Sequence, residues 1–217
     1  MKILYSAIAV FLGLFSVGAA NASTFSIALV ADNDLAIFGG TATSVNNLLY
    51  QNNYTWTDQI SNLSTLTFTL AAGDTTFYVL GMGGGGQENL SGTVNGVDIT
   101  SASVAVTMSS NIRSYLTGYS NTTVANGTFN ANLADVQSAF SYLTWGAPTI
   151  NTTDIVIVAA APNQSGFHFA DSTAHLFAFS STDVGVTAVP EPASLALLGF
   201  GLAGLGFSRR KKQKHGA

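Results

Sequence analysis

Residues 65–70 read Thr65-Leu66-Thr67-Phe68-Thr69-Leu70. Leu66, Phe68 and Leu70 alternate with threonines, the period of two that marks a strand with one face on a core and the other in water. β-Branched threonine suits that pleated surface. The same alternation recurs on both sides. Phe25, Ile27 and Leu29 alternate with Thr24, Ser26 and Ala28, and Val104, Val106 and Met108 with Ser103, Ala105 and Thr107. Ala71-Ala72-Gly73-Asp74 follows the quoted stretch and predicts a hairpin to residues 75–80. Residues 154–159 are continuously apolar after Asp154 and read as a strand covered on both faces. Residues 165–170 and 175–180 flank the turn Asp171-Ser172-Thr173-Ala174, a second predicted hairpin. One stretch differs: Leu133, Val136, Phe140 and Leu143 recur at helical spacing, with Asn132 placed as N-cap and Asp135 in the first turn. Strands about every ten residues, separated by Gly- and Asn-rich turns, predict an all-β chain, a two-layer β-sandwich with one short helix.

The 217 residues hold no cysteine, which excludes a disulfide framework, thiolate metal sites and cysteine nucleophiles. Charge is sharply partitioned. Lys2 lies at the start and five of the seven basic residues lie after residue 208, whereas residues 23–189 hold ten acids against the single base Arg113. Such a domain repels nucleic acid and anionic lipid. Met1-Lys2, the apolar run 3–18 and Ala20-Asn21-Ala22 have the order of a secretory signal peptide, with cleavage expected after Ala22. At the other end Val189-Pro190-Glu191-Pro192 precedes an apolar segment, 195–207, and the cluster Arg209-Arg210-Lys211-Lys212-Gln213-Lys214. As a helix that segment is about 20 Å long, short for a hydrocarbon core of about 30 Å. Snorkelling Lys and Arg and local thinning extend its reach, and the basic cluster stays on the cytoplasmic side. The expected organisation is therefore a signal peptide over 1–22, an extracellular β-sandwich over 23–187 and a sorting tail with a short transmembrane helix over 188–217.

Val-Pro-Glu-Pro, a short Gly- and Leu-rich span and an Arg-Arg-Lys-Lys end resemble the PEP-CTERM sorting domain, over about residues 188 to 214. The resemblance implies recognition of Pro190, Glu191 and Pro192 by a membrane-embedded exosortase. It also implies a transient inner-membrane anchor and release to the envelope or extracellular matrix of a Gram-negative, exopolysaccharide-producing bacterium. Residues 31–99 are similar in their order of features to the jelly-roll, galactose-binding-like sandwich of carbohydrate-binding modules. The features are Asp32-Asn33-Asp34, Phe38-Gly39-Gly40, Trp56, the strand at 66–70, Gly73-Asp74 and Gly83 to Gly86. The chain departs from that order by an insertion-like stretch at 44–62 and an Asn- and Thr-rich one at 121–132.

Asp32, Asn33 and Asp34 place oxygen ligands within one turn and are candidate calcium ligands, although such turns more often cap backbone amides. His168 and His175 fall on one face of the second predicted hairpin, as metal ligands or as part of a polar-aromatic strand face. Gly83 to Gly86 lack the Gly-Lys-Ser/Thr of a phosphate cradle and read as a flexible turn. Tyr50, Tyr54 and Trp56 are candidate sugar-stacking residues, core packing being the commoner fate of such rings. There is no G-x-S-x-G elbow. The domain's acids, Asp32, Asp34, Asp58, Asp74, Glu88, Asp98, Asp135, Asp154, Asp171 and Asp183, form no local pair diagnostic of a glycosidase. No cofactor is expected unless calcium. The expected role is non-enzymatic: a surface or matrix protein that associates with exopolysaccharide. A secreted carbohydrate-active hydrolase and a calcium-dependent adhesive module are the rival readings.

Overall fold

The computed structural model describes residues 22–55, 58, 64–86, 88–151, 165–181 and 187–189. Along the chain run β1 (Ala22–Ala31), β2 (Asp34–Thr41), β3 (Ser44–Gln51), β4 (Leu66–Thr69), β5 (Thr76–Met82), β6 (Glu88–Val94), β7 (Val97–Asp98) and β8 (Val106–Ser109). A 3-10 turn (Arg113–Tyr115) and helices α1 (Asn121–Ala125) and α2 (Leu133–Phe140) follow. The chain closes with β9 (Trp145–Gly146), β10 (Thr149–Asn151), β11 (Gly166–Phe169), β12 (Ala174–Ser180) and β13 (Thr187–Val189). The described strands make two antiparallel sheets, so the protein is an all-β sandwich. Sheet A has the order β10-β11-β6-β1-β13, with β4 also on β1 and β7 on β6. Sheet B has the order β3-β2-β5-β12-β8-β9.

The alternation seen in the sequence sorts side chains between two cores. Phe25, Ile27 and Leu29 of β1 meet Phe77 and Val79 of β5 and Phe177 and Phe179 of β12 between the sheets. There Phe77 stacks on Phe25 at 4.2 Å and on Phe179 at 4.8 Å. Burying each such ring stabilises the fold by about 1.5–3 kcal/mol. The intervening residues of sheet B, among them Phe38, Tyr78, Leu80 and Leu176, face the other way, onto Ile112, Val124, Phe129, Val136 and Ala139. The two sheets are the expected sandwich, and the helical segment 112–140 is an added layer on the outer face of sheet B. Sheet B is covered on both faces over most of β2 and β5.

Some expectations are corrected. Ala71–Asp74 does not close a hairpin, because β4 pairs with β1 while β5 pairs with β2 and β12. The turn at 171–174 likewise passes from β11 in sheet A to β12 in sheet B. Turn residues specify a change of direction, not which sheet receives the chain. Among the described residues β2–β3, across Thr41 and Ser44, and β6–β7, across Asn95-Gly96 with both residues at positive φ, form hairpins. The alternating stretch at 103–108 enters β8 only at Val106; Val104 is buried from the preceding turn. Helix α2 starts where expected, with the Asn132 side chain accepting from the Ala134 amide at 2.9 Å, but α1 makes a second helix, capped reciprocally by Ser120 and Thr123. Of the departures from the jelly-roll order, 44–51 is edge strand β3 and 121–125 is α1.

Residues 1–21, Trp56, the strand expected at 154–159, the Pro190-Glu191-Pro192 motif and the expected membrane span at 195–207 lie outside the described residues. Among the described residues no helix is long and apolar enough to cross a membrane.

Candidate functional site

Gly83–Gly86 lie beside the Asp32-Asn33-Asp34 turn, and the segments carrying Tyr119 and Thr173 meet them there. That turn is the corner between the sheets: the Asp32 amide bonds to Asn89 O of β6 at 2.9 Å and the Asn33 amide to Met82 O of β5 at 2.8 Å. A Cβ on Gly84 would stand 2.6 Å from Asn33 Nδ2, so only glycine lets the backbone approach this closely. The Gly85 amide donates to Glu88 Oε1 at 2.9 Å. Glu88 Oε2 and Asn33 Nδ2 are buried without a hydrogen-bond partner. Tyr119 brings its hydroxyl within 2.5 Å of Gly83 O and 3.0 Å of Thr173 O. Arg113 is held by a donation to Ser172 O at 2.7 Å and lies 5.2 Å over the Tyr119 ring.

Desolvation pushes Asp34 up to about 8 and Asp32 to about 6. Glu88 rises to about 8, chiefly by desolvation, opposed by the Gly85 amide and reinforced by the charges of Asp32 and Asp171. Desolvation likewise raises the Tyr119 phenol. Among the described residues no three His, Asp or Glu side chains gather in one cluster.

His168 and His175 are not brought together. His168 Nδ1 lies 3.1 Å from Glu88 O on sheet A, whereas His175, on sheet B, reaches Ser109 O at 2.8 Å and tilts against Phe169. Burial lowers the His175 pKa, a shift opposed by the hydrogen bond to Ser109 O.

A second place is concave. Where the helical layer stops short of covering sheet B, an open groove of about 410 Å³ runs over β5, β12 and β8. Its floor and walls include Thr76, Tyr78, Thr107, Ala178, Ser180 and Trp145, with no acid or base among them. Strand pairing places Thr76 opposite Ser180 and Thr107 opposite Ala178, so hydroxyls and small apolar groups alternate across the floor. Trp145 is half-buried at the wall, braced by Phe140 at 5.7 Å and Tyr78 at 6.0 Å. The Tyr78 hydroxyl donates to Thr41 O, and burial pushes the phenol up to about 12, so it stays neutral.

The predicted stacking residues lie elsewhere. Tyr50 is half-buried with its ring 5.9 Å from Phe68, Tyr54 is exposed, and Trp56 is outside the described residues. Sequence reasoning passed over Trp145. Its only local signal is its place five residues after Phe140, beyond a helix whose apolar face was legible.

The tail defines an exported protein with a C-terminal sorting signal. Residues 188–211 match the family described as PEP-CTERM protein-sorting motif, which implies processing by an exosortase. No curated protein and no solved structure matches the chain.

Proposed function

We propose that the chain is a non-enzymatic surface or matrix protein that binds neutral exopolysaccharide. In this reading it is held transiently by residues 188–217 in the inner membrane of a Gram-negative bacterium before exosortase releases it. The observation that carries the binding reading is the uncharged groove walled by Trp145 and floored with threonine and serine hydroxyls. An indole face suits the C–H face of a pyranose, and neutral hydroxyls exchange hydrogen bonds with sugar hydroxyls without drawing in charged competitors. A hydrolase needs a pair of carboxyls that substrate can reach. Asp34 and Glu88, the acids with the most raised pKa values, are fully buried and do not offer that pair.

The test is affinity electrophoresis of the full chain through gels cast with neutral glucans, galactans or mannans. The wild type should be retarded in at least one, Trp145→Ala should run free, and chelator should change nothing. Free migration in every gel would remove the reading, and loss of retardation with chelator would favour the calcium-dependent adhesive instead. The sorting half is tested separately: Glu191→Ala should leave an unshortened chain in the membrane fraction. Normal shortening of that variant would exclude recognition through the motif.

A further inference from the structure

We propose that Tyr142 and Tyr115 extend the Trp145 groove into one track, so that the protein grips a neutral polysaccharide along several consecutive sugar rings rather than at one. The inference rests on the polysaccharide reading and deepens it.

Tyr142 is 72 % exposed and Tyr115 39 %, yet the rings lie within 12° of parallel with centroids 6.0 Å apart. Two large aromatic faces held in water by each other form a preorganised apolar surface. Tyrosine has few rotors to freeze when a ligand arrives.

Their placement links them to the groove. Tyr142 lies three residues before Trp145, so their Cα atoms are at most about 11 Å apart. The turn between them is fixed by hydrogen bonds from the Tyr142 amide to Ala139 O at 2.8 Å and from the Ser110 amide to Thr144 O at 2.7 Å. The end of α2 braces both features: Phe140 packs edge-on against Tyr78 at 5.4 Å and touches Trp145. The 3-10 turn carrying Tyr115 is tied to the same helix through the Thr117 amide, which donates to Asp135 Oδ2 at 2.8 Å.

Charge selects the occupant. Arg113, on the tyrosine-bearing turn, donates to Ser172 O and lies over the Tyr119 ring, and Asp135 of α2 accepts from the Thr117 amide. A neutral chain can lay C–H faces on the rings and a hydroxyl on the exposed Thr107.

Calorimetric titration of the full chain tests this, using oligosaccharides, from disaccharide to octasaccharide, of the neutral glycan that retards it. Affinity of the wild type should climb with length. Tyr142→Ala should weaken the longer oligomers by roughly three- to tenfold, leave the disaccharide within about twofold, and be rescued by Tyr142→Phe, while Trp145→Ala should lose all lengths. Tyr142 is mostly exposed, so its variants should fold; circular dichroism and a thermal melt check this. Wild-type affinity of Tyr142→Ala for the longest oligomer, with Trp145→Ala still inactive, would overturn the track and leave the groove reading standing. Wild-type affinity of Trp145→Ala as well would overturn both. A dimer that Tyr142→Ala dissociates in sedimentation, with glycan affinity unchanged, would make the pair a self-association face and also overturn the track.

Discussion

Glu88 and Asp34 show what becomes of acids buried in a domain with one cation. Both have folded-state pKa values of about 8, whereas an unfolded chain releases those protons near pH 4. Between these limits the folded state binds more protons than the unfolded one, so stability is full below about pH 4 and declines as pH climbs toward 8. Urea unfolding should show stability falling by about 3 kcal/mol or more from pH 5 to pH 9. Glu88→Gln, which resembles the protonated acid, should flatten that slope and exceed the wild type at pH 9. Stability that rises over the same interval would mean that the carboxyls are ionised and paired. Trp145 illustrates the opposite circumstance, a side chain whose surroundings contain nothing to titrate, so glycan retention should be flat over the pH range where the fold itself persists.

Helix α2 is short but braces the groove. Its stability depends on the Asn132 cap, and Asn132→Ala should cost about 1 kcal/mol in urea unfolding. Phe140→Ala should cost roughly 2–3 kcal/mol and also weaken glycan retention, because Trp145 and Tyr78 lose their common support; a variant that lost stability but kept full retention would separate the helix from the site. Which elements were legible follows from the range of the forces that make them. Strand β4 and the start of α2 rest on local periodicity and a local cap, and both could be read. Which strands pair could not: Ala71–Asp74 and Asp171–Ala174 have the composition of hairpin turns, but burial of Phe77 and Phe177 between two sheets decides where the chain goes next. The Asn95-Gly96 hairpin was readable from its dipeptide and was overlooked. Helix α1, Asn-Thr-Thr-Val-Ala, has weak helix formers and exists through the Ser120–Thr123 cap and the burial of Val124. The groove was beyond sequence, since nothing along the chain tells Trp145 from a core tryptophan until α2 is placed on sheet B.

Across the whole molecule, ten acids against one base in residues 23–189 disfavour an anionic ligand. Acidic polysaccharide such as alginate should not retard it even at low ionic strength, while retardation by a neutral glycan should be insensitive to salt up to about 1 M, where screening reduces the Debye length to about 3 Å. Retention that collapses with salt would point to ionic contacts outside the groove. Strand β5 lies between β2 and β12, and its sheet is covered by phenylalanines on one side and by helices on the other. Its amides should therefore take up deuterium only when the entire domain opens, later than those of the edge strand β3. That makes β5 a built-in gauge: bound glycan at saturating concentration should slow its exchange by the factor that ligand linkage dictates, giving an affinity without labelling the sugar.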